Sequence, residues 1–153
     1  MEAFRDCANL SQVIFEGDLQ AIPISCFASC SKLVTINWPT KISVIEDYAF
    51  SNCGMLVELR IPDGVTRIGT KAFYHNRSLE ILELPNSLIA IDDFGFADCI
   101  HLKQINMNQL SPLKIDENVF EGIDKKTVSL IVPEEFFDEY KKSSMWKEFN
   151  IIL

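Results

Sequence analysis

Phenylalanine recurs along this chain every 23 residues, and this spacing limits the possible fold more than any other feature of the sequence. The series runs Phe4, Phe27, Phe50, Phe73 and Phe96, and Phe120 follows after 24 residues. Self-similarity with a period of about 20–50 residues is typical of solenoids, in which each unit forms one coil and packs on its neighbours. The sequence therefore predicts a repeat array that forms a superhelix.

Other positions of the unit repeat in register with the phenylalanine. Leucine lies six residues after it, an aliphatic residue nine after it and a large apolar residue eleven after it. This alternation predicts a short strand with its apolar side chains inward, and a following proline marks the end of that strand in three units. The strand-end column contains Phe15, Trp38, Ile61, Leu84 and Met107, and the prolines are Pro39, Pro62 and Pro85.

A second column predicts a second strand in each unit. Isoleucine lies five residues before the next phenylalanine, at Ile22, Ile45, Ile68 and Ile91, and again at Ile115 before Phe120. We expect a short extended segment around each isoleucine and one helical or 3-10 turn around each phenylalanine. The predicted fold class is a leucine-rich-repeat solenoid, a right-handed superhelix with short parallel strands on two sides and a C-terminal helical cap.

A column of small polarisable residues lies three positions after the phenylalanine. It contains Cys7, Cys30, Cys53, Asn76 and Cys99. A tight corner leaves backbone groups pointing inward, and an amide or a thiol can hydrogen-bond to them. We expect reduced, buried thiols here, although a stack with one strand spacing between cysteines also lies within the Cα range of a disulfide. The five cysteines exclude a fully paired framework.

The two ends of the array differ in sequence. We predict repeats over residues 1–132, about five units plus a final strand, and a cap over residues 133–153. In the cap, Phe136, Phe137 and Tyr140 are expected to lie on one face of a short helix that covers the last coil, and Trp146, Phe149 and the final residues add apolar surface. The first coil lacks such a device. We expect it to be frayed, covered by a preceding segment, or covered by another subunit through self-association.

Several classes of function are disfavoured by the composition and by the absence of motifs. The formal net charge of −8 argues against nucleic acid, and no apolar run reaches the roughly 20 residues of a membrane span. His75 and His101 lie at variable positions, and Cys99 falls in the inward column, so we expect no catalytic pair. Acidic pairs such as Asp92-Asp93 are expected to be solvated. The sequence predicts no enzyme, no metal site and no cofactor.

The strand residues between the buried columns predict a binding surface. Stacking aligns them in two outward rows, which together form an extended strip of mixed polarity, the kind of surface that repeat proteins use for partners. The predicted binding residues are Thr35, Asn37, Glu58, Arg60, Ile81, Glu83, Gln104 and Asn106. The alternative is that these side chains only keep the sheet soluble.

The units AFSNCGMLVELRIPDGVTRIGTK and AFYHNRSLEILELPNSLIAIDDF resemble the BspA-like class of leucine-rich repeat. The resemblance extends from residue 3 to about residue 132. It implies a non-enzymatic protein-binding module of surface adhesin type, with a host matrix or cell-surface protein as partner. The N-terminal residues MEAFRDCANL show no secretory signal. The alternative is therefore an intracellular scaffold or structural spacer, and the location stays open between cell surface and cytoplasm.

Overall fold

The computed structural model describes residues 2–153, so Met1, the first residue of the predicted repeat region, lies outside the described residues. The strands alternate between two sides of a stack of coils, and all strand pairs among the described residues are parallel. The predicted solenoid with short parallel strands on two sides is confirmed. The main side contains β1 (Gln12–Ile14), β3 (Thr35–Asn37), β5 (Glu58–Arg60), β7 (Ile81–Leu84), β9 (Gln104–Met107), β10 (Ser129–Ile131) and β11 (Asn150–Ile152); the second side contains β2 (Ala21–Ile22), β4 (Val44–Ile45), β6 (Arg67–Ile68) and β8 (Ala90–Ile91).

The repeated phenylalanines form one continuous stack through the core. Neighbouring ring centroids are 5.2–5.7 Å apart, and the ring planes lie within 12° of parallel. The rings from Phe50 to Phe120 are fully buried. Near-parallel rings with centroids this far apart are offset-stacked, and such pairs stabilise a core beyond the area that they bury. The stack therefore fixes the register of each coil on the next.

The segments around the phenylalanines form a third side, where the sequence predicts one helical or 3-10 turn in each unit. The structure has single turns closed by i→i+3 hydrogen bonds, such as Ala49 to Glu46 and Ser51 to Tyr48. Positive φ angles occur two residues before and two residues after the phenylalanine, as at Tyr48 and Asn52 around Phe50. Residues with left-handed backbone interrupt a helix. The amides of these residues and of the phenylalanine between them donate to the next coil, from Tyr48 to Thr70, from Phe50 to Ala72 and from Asn52 to Tyr74, over 2.8–2.9 Å. Within residues 2–153, a 3-10 helix forms at the corresponding place in the last coil alone, over Glu117–Phe120.

The Cys/Asn column acts as the sequence predicts in the interior of the stack. Each side chain donates to the carbonyl of the phenylalanine one coil earlier: Cys30 to Phe4 at 3.1 Å, Cys53 to Phe27 at 3.2 Å, Asn76 to Phe50 at 2.9 Å and Cys99 to Phe73 at 3.4 Å. Burial raises the pKa of the Cys53 and Cys99 thiols to about 12, so both stay protonated donors at neutral pH. Cys7 is exposed, which corrects the expectation that it would be buried.

The C-terminal residues close the stack with short elements. A 3-10 helix at Glu134–Phe136 leads into α1 (Phe137–Lys142), and another 3-10 helix at Trp146–Glu148 precedes β11. Trp146 and Phe149 contact the Phe120 ring with centroids 5.8 and 5.4 Å away. At the C-terminus β11 pairs with β10. The sequence does not predict β11. The division into residues 1–132 and 133–153 stays a prediction.

The cap also binds the irregular part of the fifth coil. The second sheet has the order β2-β4-β6-β8, so this coil adds no strand to it. The indole N–H of Trp146 donates to the Leu113 carbonyl at 2.7 Å, and the Tyr140 hydroxyl donates to the Ser111 carbonyl at 3.4 Å. Side chains of the cap therefore satisfy two carbonyls of a segment that forms no strand.

We expect Asn76→Ala to lower the free energy of unfolding by about 1–3 kcal/mol, because the buried Phe50 carbonyl loses its side-chain donor and the Phe73 carbonyl keeps only the weaker Cys99 thiol. Asn76→Cys is the matched control. It places at this position the residue that neighbouring coils use, and its thiol can still donate to Phe50. Urea denaturation measures both variants, and equal losses would contradict the assigned role.

We expect Phe73→Ala to cost roughly 3–5 kcal/mol of stability, as for other buried aromatic truncations. Phe4→Ala is expected to cost less than half as much, because the Phe4 side chain remains 48% exposed on the first coil. Urea denaturation of the two variants provides the comparison. A loss at Phe4 as large as that at Phe73 would show that the first coil packs as tightly as the centre.

Candidate functional site

The main sheet is interrupted between the second and third coils. On this side β1 pairs only with β3, and the remaining strands form a separate sheet in the order β11-β10-β9-β7-β5. On the second side β4 and β6 are paired without interruption. The two coils are therefore joined on one side and separated on the other. The predicted strip of outward residues is divided at this break, which corrects the expectation of a continuous surface.

Trp38 explains the break. It occupies the strand-end column, where the next two coils have Ile61 and Leu84, and its indole packs edge-on against the Phe50 ring with centroids 5.4 Å apart. The indole N–H donates to the Arg60 carbonyl at 3.0 Å. In the coil pairs on either side, a backbone amide makes the equivalent bond, from Phe15 to Asn37 at 3.3 Å and from Ile61 to Glu83 at 3.0 Å. The indole therefore replaces a bond of the sheet.

The separation leaves backbone groups of both strands without partners. In the neighbouring coil pairs, the amides just before and at the start of each strand converge on one carbonyl: Val34 and Thr35 donate to Ser11, and Glu80 and Ile81 donate to Val57. Within residues 2–153, the equivalent amides of the third coil make no such bond to Val34. Two unpaired strand edges thus face each other inside the stack.

A cleft of about 630 Å³ lies at the break. Five of the predicted binding residues line it, and Asn37, Gln104 and Asn106 do not. The apolar part of its lining was not predicted, although Trp38 is the one tryptophan in a column of smaller or more flexible side chains. Val34 and Val57, each 45% exposed, extend the apolar surface at its edge. The predicted residues in the lining are Thr35, Glu58, Arg60, Ile81 and Glu83, and the others are Val34, Ile36, Trp38, Leu56, Val57, Leu59 and Pro62.

The charges at the mouth of the cleft leave one carboxylate unpaired. Arg60 Nε lies 3.5 Å from Glu83 Oε1, with side-chain exposures of 73% and 31%. An ion pair at such exposure contributes about 0–1 kcal/mol. Glu58 is exposed and forms no ion pair with any other described residue. Two acidic groups and one basic group therefore give the mouth a net negative charge.

The rest of the predicted strip lies on the continuous part of the sheet. Ile81 and Glu83 are in register with Gln104 and Asn106, and the Gln104 side chain donates to that of Asn106 at 2.8 Å. The strip continues for two further strands, because Ser129 of β10 pairs with Gln104 and with Asn150 of β11. The sequence predicts β10 as the final strand of the array but not as part of the strip, and it does not predict β11, since the last coils depart from the repeat spacing.

The structure brings no catalytic constellation together around the histidines. Exposed His101 directs Nδ1 at the Arg77 carbonyl rather than at a thiol, and His75 Nδ1 lies 3.7 Å from Asp98 Oδ2. Burial raises the pKa of Cys99 to about 12, which makes it a poor nucleophile at neutral pH. Over residues 2–153, no three His, Cys, Asp or Glu side chains are grouped as metal ligands would be. That the chain is not an enzyme stays a prediction.

The stacked parallel coils, with short strands on two sides, define a leucine-rich-repeat solenoid. The chain belongs to the BspA type leucine-rich repeat family, which it matches with six copies over residues 1–141. The resemblance to the BspA-like class, which the repeat columns indicated, is thereby confirmed. Proteins of this fold family are typically non-enzymatic scaffolds that bind other proteins.

Solved structures of leucine-rich repeat proteins resemble this one. A protein of T. pallidum is 30% identical, with a TM-score of 0.64 over 69% of this chain and 49% of its own. A protein of Bacteroides ovatus is 24% identical, with a TM-score of 0.52 over 88% and 46%. A leucine-rich cell surface protein of Faecalibacterium prausnitzii is 19% identical, with a TM-score of 0.50 over 89% and 51%. The chain spans about half the length of these proteins.

No curated protein matches the chain. Among the helices of residues 2–153, none has the length and apolar character needed to cross a membrane.

We expect Trp38→Ile to close the break, because isoleucine has the size that the next coil uses at Ile61 and frees the Arg60 carbonyl for a backbone donor. Amide exchange at Val57 and Glu58 should slow by at least about tenfold, which corresponds to about 1.4 kcal/mol. Hydrogen exchange monitored by NMR measures this, and the already paired amide of Glu80 is the internal control. Unchanged exchange at Val57 would show that Trp38 is not the cause.

Proposed function

We propose that this chain is a protein-binding module whose contact surface is the outer face of the main sheet. The proposed contact residues are the predicted eight, which the break divides into Thr35 and Asn37 on one sheet and the remainder on the other. The observation that carries the proposal is the cleft, because five of these residues line it together. Concave, partly apolar sites with a few polar groups are the usual binding sites of proteins.

The composition of this face supports a protein partner. Arg60, Glu58 and Glu83 surround an apolar floor that contains Trp38 and Ile36, and interfaces commonly combine aromatic and arginine anchors with a polar rim. The same face carries a net negative charge at the cleft, and the whole chain carries −8. A phosphate backbone would be repelled by this charge, whereas a partner with a basic patch would be attracted.

We further propose an adhesin-type role at a cell surface, with an extracellular matrix or cell-surface protein as partner. The support is the family itself and the description of the F. prausnitzii protein as a cell surface protein. The alternative is an intracellular scaffold or spacer. Immunolabelling of intact cells that produce the natural full-length protein separates the two. Labelling only after permeabilisation would contradict the surface role.

We expect the double substitution Arg60→Ala and Glu83→Ala to weaken binding to a protein partner by about tenfold or more, as the loss of a central interface pair does. The measurement is a quantitative pull-down with immobilised fibronectin and collagen as first probes, followed by surface-exposed host proteins. The control is Asp18→Ala with Lys41→Ala, which removes an equally charged exposed pair outside the face. Partner binding that survives the first double substitution would remove this face from consideration.

A further inference from the structure

We propose that the break between β3 and β5 is an insertion site for one extended peptide segment of a partner, with an apolar side chain in the cleft and a basic side chain at its mouth. The inference rests on the proposed protein-binding function and names both the place and the mode of binding. It differs from binding across the outer face, because the partner's backbone would join the sheet.

The unpaired edges of β3 and β5 are the first observation that supports an insertion site. Strand edges with free amides and carbonyls readily pair with another chain, and natural proteins normally cover or interrupt them. Here two such edges face each other within the stack, and neither Val57 nor Glu58 donates to the opposite strand. An extended peptide that adds to a sheet edge gains affinity from its main chain and specificity from alternate side chains.

The coils cannot close the gap by themselves while Trp38 is present. Its indole lies between the strands, bonded to the Arg60 carbonyl and packed on Phe50. The Phe27 and Phe50 rings behind it remain stacked at 5.2 Å, and β4 and β6 remain paired. The coils are therefore fixed on the other sides, and the opening on the main side is a permanent feature of the fold.

The cleft specifies the side chains of the occupant. Its volume of about 630 Å³ lies within the range of about 300–1,000 Å³ that is typical of ligand sites. The floor is formed by Ile36, Trp38 and Leu59, which favours an apolar side chain. The unpaired Glu58 carboxylate at the mouth favours a lysine or an arginine next to it. A second copy of this chain is disfavoured as occupant, because both copies carry a charge of −8.

The test is a selection from a random heptapeptide display library with the whole chain, counter-selected with the Trp38→Ile variant. We expect enriched peptides to contain a basic residue next to an apolar one. Synthetic versions should bind the native chain and bind the Trp38→Ile variant at least tenfold more weakly. They should also slow the amide exchange of Val57 at least tenfold. If no enriched peptide distinguishes the two proteins, the proposal is wrong.

Two further comparisons examine the mode of binding. Peptides N-methylated at alternate residues keep their side chains but lose backbone donors, and they should bind at least tenfold more weakly. Glu58→Gln should weaken binding severalfold, whereas Glu117→Gln, on an exposed carboxylate of the last coil, should not. If the methylated peptides bind as tightly as the unmethylated ones, strand insertion is wrong. If Glu58→Gln leaves the affinity unchanged, the preference for a lysine or an arginine is wrong.

The outcomes also separate this inference from the proposed function. Partner binding that depends on Arg60 and Glu83, without any peptide that depends on Trp38, contradicts only the insertion site. A second outcome is a peptide whose binding requires Trp38, together with a protein partner whose binding is unchanged by the substitutions at Arg60 and Glu83. This outcome contradicts only the assignment of the outer face as the contact surface. Sedimentation of the peptide complex should show one chain, and a dimer that displaces the peptide would identify a second copy as the occupant.

Discussion

The stacking of one inward phenylalanine on the next is the contact on which the rest of this structure depends. A single coil has too little apolar surface to cover itself, so its stability comes from its neighbours. The parallel rings, 5.2–5.7 Å apart, set the distance between coils. The side chains of the Cys/Asn column and the amides of the third side then bond across that distance. The phenylalanine core, the Cys/Asn column and the strands therefore all repeat at the same distance between coils.

The candidate site arises where one residue departs from this repeat. Most members of the strand-end column fit between neighbouring coils, but the indole of Trp38 needs more room. Three other features hold those coils together: the stacked phenylalanines, the paired strands β4 and β6, and the hydrogen bonds of the third side. The extra volume is therefore accommodated on the main side alone. A regular scaffold with a local opening therefore presents a candidate site whose two coils are held together on the other sides.

Particular residues show which features of the structure follow from the repeat columns. The columns predicted the inward residues from Phe27 to Phe120 and the hydrogen-bonding role of Asn76. They also predicted Glu58, Arg60, Ile81 and Glu83 as outward neighbours, and the structure brings them to the cleft. The columns do not predict the cleft, because in them Trp38 is one more apolar residue at the end of a strand. The left-handed turns and β11 were missed too, since neither has a distinct signal in the repeat.

The sequence by itself determined the solenoid, its period and the side of each strand that faces inward, because these follow from spacing and polarity along the chain. Only the tertiary structure decided where the main sheet is continuous and where it is open. The reason is that a large side chain can be absorbed by the core or can separate two strands. Which of the two occurs depends on the volume that side chains of neighbouring coils leave free. The spacing of residues along the chain does not give that volume.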